Sequence, residues 1–233
     1  MGALKGLAIT GVTLAVLGGG AVVGDNLARS HTQNQVADQL QTALGLAERP
    51  GVELGGLPFS QVFISHQLPS ARLTAAAVPL EVSGRQLALD TVEVVAQDIT
   101  IDGERITLGS ARAEGVLGYP ALTRLAGVPV EPGGEAGRVR VSYAAELFGR
   151  DLVVAVSAVP VLNDDRDRLL LNDPEIQLAG FELSDEIAEW IMNELIAPIE
   201  LDLPYGLSPE SVAADQSGVK VAVSARDFLV PQG

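Results

Sequence analysis

From Arg72 onward, apolar side chains recur at every second position in one run after another, with Gly, Pro, Asn and Asp between the runs. A two-residue period is the pleat of a strand that turns one face to a core and the other to water. The run 86–101 carries Leu87, Leu89, Val92, Val94 and Ile99, and Asp102-Gly103 then signals a tight hairpin. The run 105–117 returns with Ile106, Leu108 and Ala111, and an Ala-rich alternating run occupies 72–78. Val139, Val141 and Tyr143 alternate with Arg138, Arg140 and Ser142, which predicts one apolar and one wet face. The run 152–162 is apolar on both alternations and is expected to be covered on both faces. Further strands are expected at 168–171, 175–183 and 219–230. The spacing predicts antiparallel meanders.

Helical signals stand in three places, one before this pattern and two within it. Ser30-His31-Thr32-Gln33 has the form of a capping box, Val36, Leu40 and Leu44 recur every four residues, and Gly45 closes the segment. Val52 and Leu54 flank Glu53 in a short strand, after which Gly55-Gly56 and Pro58 force a turn. Val62, Phe63, Ile64 and Leu68 follow, around a second turn expected near Pro69. Pro120 and Gly127 bracket a short helix over 121–126, and 129–137 reads as a Gly- and Pro-rich loop. Ser184 caps a second amphipathic helix with the stripe Ile187, Trp190, Ile191 and Leu195, ended by Pro198.

At the N-terminus, Lys5 is followed by nineteen uncharged residues, 6–24. The apolar core 7–17 has the size of a signal-peptide h-region, broken by Gly18-Gly19-Gly20 and followed by small residues suited to cleavage. The full uncharged span is near the minimum for a membrane-crossing helix. A cleaved signal and a retained anchor are both open, and both predict that the remainder lies outside the cytoplasm. The chain has no cysteine, so an exported body must hold together by packing alone.

Hydrophobic residues make up 47% of the chain and aromatics only 4%. The apolar mass is therefore aliphatic, a lean that GC-rich coding would also produce, so patterning outweighs composition as a guide. The formal charge of −15 excludes a general nucleic-acid binder and argues against electrostatic docking on anionic lipid.

Chemistry-bearing residues are sparse. The two histidines, His31 and His66, sit in unrelated contexts, and no serine stands in a Gly-x-Ser-x-Gly elbow. No Gly-rich phosphate loop precedes a lysine. Asn163, Asp165 and Asp167 fall at alternate positions like the start of a Ca²⁺ loop, but Arg168 replaces the required glycine and Pro174 stands at the twelfth position. The segment therefore reads as a solvated hairpin turn. Acidic pairs are too abundant to single out any two as glycosidase carboxylates. No catalytic, metal or cofactor site is expected. What remains is apolar surface: two amphipathic helices and sheets with aliphatic inner faces. If the core is wider than side chains fill, it admits acyl chains, at about 0.8 kcal/mol per buried CH₂.

The order of features resembles the LmeA-like phospholipid-binding proteins of actinobacterial cell envelopes. The motifs carrying this are Gln39-Leu40-Gln41-Thr42-Ala43-Leu44-Gly45-Leu46 and Pro50-Gly51-Val52-Glu53-Leu54-Gly55-Gly56-Leu57-Pro58-Phe59. Gly118-Tyr119-Pro120-Ala121-Leu122 and the terminal strand after Leu203-Pro204 add to it, and Ser60 departs from the bulky apolar residue expected there. The resemblance implies a tubular lipid-binding domain shaped like that of bactericidal/permeability-increasing protein. It also implies phospholipid binding, phosphatidylinositol among the candidates, and a part in building mannosylated envelope lipids such as lipomannan.

The fold class expected is α+β: a long antiparallel β-meander wrapped around amphipathic helices. Residues 1–25 form the signal or anchor and 26–233 a single lipid-binding domain. The function expected is non-enzymatic phospholipid binding in the periplasm or outer envelope, with phospholipid and membrane as partners and envelope biosynthesis proteins as further candidates. Phe59, Phe63, Ile187, Trp190 and Ile191 are the candidate lumen-lining residues. The main rival is an interaction module with a filled core that assists a glycolipid-synthesis complex. A hydrolase using dispersed carboxylates is a third.

Overall fold

The computed structural model describes residues 25–56, 62–82, 85–102, 105–147, 150–178, 199–200, 203 and 207–230. The elements are helix α1 (Asp25–Leu44), β1 (Gly51–Leu54), helix α2 (Val62–Ser65), β2 (Gln67–Val82), β3 (Arg85–Asp102) and β4 (Arg105–Gly118). Helix α3 (Tyr119–Ala126), β5 (Val130–Pro132), β6 (Val139–Leu147), β7 (Arg150–Leu162) and β8 (Arg168–Leu178) follow. The chain finishes with β9 (Ile199–Glu200), β10 (Ser208–Ala214) and β11 (Gly218–Leu229). This is an α+β architecture of mostly antiparallel strands, as the alternation predicts. Among the described residues no helix is long and apolar enough to cross a membrane. Of the expected signal or anchor (residues 1–25), all but Asp25, which opens α1, lies outside the described residues, as does the expected helix after Ser184.

The chain divides into two compact units, Met1–Gly115 with Pro204–Leu207 and Val223–Gly233, and Val116–Leu203 with Ser208–Ala222. Strands β4 and β11 contribute residues to both.

In the first unit the strands lie in the order β1-β2-β3-β4-β11. Strands β2 and β3 form a long antiparallel ribbon in a constant register from Gln67↔Thr100 to Val82↔Arg85. Ala71, Leu73 and Ala75 are buried on β2, but past Ala77 the next buried residue is Val78. On β3, Val92 and Ala96 give way to Ile99 and Ile101 past Asp98. Ala77 and Asp98 both adopt left-handed backbone, at φ 50° and 52°, and each rotates the strand so that the opposite set of side chains meets the core. Gly109 accommodates this on β4, because a Cβ there would lie 2.8 Å from the Asp98 Cβ.

Helix α1 lays Val36 and Leu40, both fully buried, on Leu73, with Leu44, Val52 and Val94 around them. Burying each such side chain contributes about 1.5–3 kcal/mol. Gly45, at φ 62°, ends the helix: its N–H reaches the Thr42 carbonyl at 3.3 Å and the Leu46 N–H reaches the Gln41 carbonyl at 2.9 Å. This reciprocal pair satisfies two terminal carbonyls and turns Leu46 inward, onto Ala75, Val78 and Val92. The helix starts at Asp25, so Ser30 is helix interior and not the cap that the capping-box pattern suggests. The turn expected near Pro69 falls instead at His66, φ 56°; Pro69 is inside β2. There it needs no ladder donor, since it has no registered partner between the Leu68↔Ile99 and Ser70↔Gln97 pairs.

In the second unit β10 lies beside β11, and a separate sheet has the order β5-β6-β7-β8-β9. Tyr119, Val130, Val139 and Ala214 form its core, joined by Leu122, Val141, Leu171 and Val219. Helix α3 has Pro near its first position and Gly127 at φ 75° past its end, as the bracket predicts. The expected loop over 129–137 contains β5, paired with β6 at Val130↔Val141. The strands expected at 168–171 and 175–183 are one strand, β8, within the described residues. Its register against β7 shifts between Ser157 and Val159, where Asp173 at φ 50° and Pro174 form a bulge. A bulge tolerates the missing N–H of proline without ending the strand. The 152–162 run is buried at consecutive positions from Val154 to Ala158, so both faces are covered there, while Val153 is 50% exposed.

Candidate functional site

Each described cluster of polar side chains is consumed by the fold. Arg138, expected on the wet face of β6, is only 5% exposed. Its Nη1 donates to the Asp173 carboxylate at 2.7 Å and its Nη2 to the Asp173 carbonyl at 2.7 Å, with Glu175 at 2.9 Å from Nη2. Its Nε donates to the Ser157 hydroxyl at 3.3 Å, and that hydroxyl donates to the Gly133 carbonyl at 3.2 Å. The hydrogen bond to Asp173 and the nearby acids push the Arg138 pKa up against the opposing effect of burial, so the guanidinium stays charged. The cluster clamps the β8 bulge onto β6 and β7. Each of its three nitrogens is thus engaged by the fold.

The Asp215 carboxylate accepts from the Ser217 N–H at 2.7 Å and the Gly218 N–H at 3.2 Å, and so closes the β10–β11 turn. Hydrogen bonds from the Ser217 side chain and backbone hold its pKa below the ordinary value. The Tyr119 hydroxyl donates to the Asp215 carbonyl at 2.6 Å. Burial, and then the Asp215 charge, push the Tyr119 pKa up. Asn163 closes the β7–β8 hairpin as expected, its side-chain oxygen accepting the Asp167 and Arg168 N–H groups at 3.0 and 2.9 Å. His31 and His66 are both exposed, on α1 and at the α2–β2 junction. Among the described residues no three His, Asp or Glu side chains could hold a metal ion together.

The surface with binding chemistry is apolar. Where α1 meets the sheet of the first unit, the fully buried Val36 and Leu40 are edged by Leu44, Val52 and Val94, and Leu44 and Val94 continue to Leu89. These four edge residues are half-buried. On β4 one facing position is small: a Cβ on Gly115 would come no nearer than 3.5 Å to Leu89. An aliphatic seam of this kind can take a hydrocarbon chain by surface burial, with no polar complement needed.

Of the expected lining residues, Phe63 is placed on the single turn of α2, which belongs to the first unit. Phe59, Ile187, Trp190 and Ile191 lie outside the described residues. The seam residues Leu44, Val52, Leu89 and Val94 were not among the candidates. Their signals are present, as the four-residue spacing on α1 and the alternation on β1 and β3. Pattern alone does not show which stripe lies on which strand.

No curated protein and no solved structure matches the chain significantly. A family model, described as LmeA-like phospholipid-binding, matches residues 23–224. That match spans α1, all of the second unit and most of the first, and with it the chain belongs to the LmeA-like phospholipid-binding family.

Proposed function

We propose that this chain is a non-enzymatic phospholipid-binding protein of the cell envelope, which shields acyl chains from water in an apolar lumen. The observation that carries the reading is the phospholipid-binding family match over residues 23–224. Two physical facts support it. The described polar clusters are engaged in structural hydrogen bonds, and the α1–sheet seam offers half-buried aliphatic surface. In this reading residues 1–25 export or anchor the chain, and 26–233 act as one tubular lipid-binding domain in the periplasm. Phe59, Phe63, Ile187, Trp190 and Ile191 are the candidate lining residues. Phosphatidylinositol is a candidate ligand, and the lipid serves envelope lipoglycan assembly, in the company of biosynthesis proteins.

The test is uptake of a fluorescent acyl probe by the purified chain lacking residues 1–24. Saturable probe fluorescence, displaced by unlabelled phospholipid, is expected. A probe signal that never rises above that of an unrelated acidic protein would remove the reading.

A further inference from the structure

We propose that one end of the first unit is the surface that docks on a lipid bilayer: the end formed by α2, the close of β3, the start of β4 and the last residues of β11. The proposal rests on the lipid-binding reading and says where that protein meets its membrane. Several contacts bring these segments together. The Ile101 N–H donates to the His66 carbonyl at 2.8 Å, and the Val230 N–H donates to the Ile106 carbonyl at 3.0 Å. Val62, Ile101, Ile106, Phe228 and Val230 share one buried cluster.

Two features set this end apart. Leu229 is 59% exposed, the highest of the three exposed large hydrophobic residues among those described. A single exposed leucine is ordinary in itself. Its setting is not: from Leu54 to Ala71, the stretch that holds α2, no Asp, Glu, Lys or Arg occurs, in a chain that is 19% charged. This is the longest such run beyond the N-terminal segment. Around Leu229 the described charges are the exposed Asp102 and Asp227 and the exposed Arg105 and Arg226, and Glu104 stands between Asp102 and Arg105 in the sequence. Three acids against two arginines leave this end a charge of only −1, in a molecule of charge −15. A bilayer interface penalises unpaired charge and rewards apolar side chains, and an anionic surface repels an acidic protein. This sparsely charged end, with its exposed leucine, therefore approaches lipid at low electrostatic cost. Contact is made by apolar insertion and not by attraction to charged head groups.

The experiment compares the wild-type chain lacking residues 1–24 with Leu229→Glu and Val153→Glu. Val153 is 50% exposed in the second unit and serves as the control. Uptake of fluorescent phospholipid is followed from phosphatidylcholine vesicles with and without phosphatidylglycerol, and separately from detergent micelles. The expected result is a loss of about tenfold in the vesicle rate for Leu229→Glu alone, with the micelle-loaded amount unchanged and no gain from phosphatidylglycerol. Equal vesicle rates for wild type and Leu229→Glu, an equal loss in Val153→Glu, or faster uptake from anionic vesicles would each overturn the docking surface. Wild-type protein that takes no lipid even from micelles would overturn the lipid-binding reading, and this inference with it.

Discussion

A Cβ on Gly218 would land on the backbone of Leu117 and Gly118, and backbone cannot move aside as the end of a side chain can. Gly218→Ala is therefore expected to destabilise the chain by about 1–3 kcal/mol, read as a lower urea midpoint. Gly115→Ala meets the Leu89 methyls and the Thr91 carbonyl at ordinary contact distances, 3.5 Å and beyond, and is expected to be neutral or to stabilise by about 0.5 kcal/mol. Equal effects of the two would contradict the packing described at β11. Asp215 makes a second prediction. Its folded-state pKa is depressed below 3.8, chiefly by hydrogen bonds from Ser217. Its contribution is then complete above pH 3.8 and is lost as the pH falls through the lower folded value. The stability gap between wild type and Asp215→Ala is expected to be constant near neutrality and to shrink in acid below pH 3.8. A gap that widens in acid would mean that the carboxylate is not held by those donors.

At the scale of elements, α1 depends on few contacts. Leu40→Ala removes a fully buried side chain at the centre of the α1–sheet seam and is expected to cost about 2–5 kcal/mol in denaturant unfolding. The same change in volume at Leu229, 59% exposed, is expected to cost far less. The four-residue spacing of Val36, Leu40 and Leu44 made this helix legible in the sequence, and so did Gly45 at its end. Its start was not legible, because Ser30 to Gln33 satisfies a capping rule that tertiary packing here leaves unused. Strand existence was legible almost throughout, and strand continuity less so. Asp173-Pro174 looks like a break, yet β8 runs through it as a bulge that Arg138 holds from the side. Ala77 and Asp98 likewise shift the buried face without interrupting β2 or β3. A strict two-residue period cannot anticipate a left-handed residue that resets its own phase. The short strands β5, β9 and β10 carry too few residues to show a period, or sit among prolines.

At the scale of the molecule, the α+β class and the family were both legible, the first from period and the second from the motifs around Gly45 and Gly56. The division into two units was not. Each unit draws on segments far apart in sequence, and β4 and β11 serve both. The burial of Arg138 shows the same limit, since a charged residue on an alternating strand looks solvated until its acidic partners 35 and 37 residues later are known to face it. The account as a whole stands on hydrocarbon being held by this acidic, cysteine-free chain. The most direct measurement is mass spectrometry of an organic extract from the purified protein after exhaustive removal of detergent. The account predicts phospholipid in near-stoichiometric amount, with the yield cut when Leu44, Leu89 and Val94 are changed together to Gln. Folded protein that carries no lipid, and takes none up when offered phospholipid in excess, would contradict it.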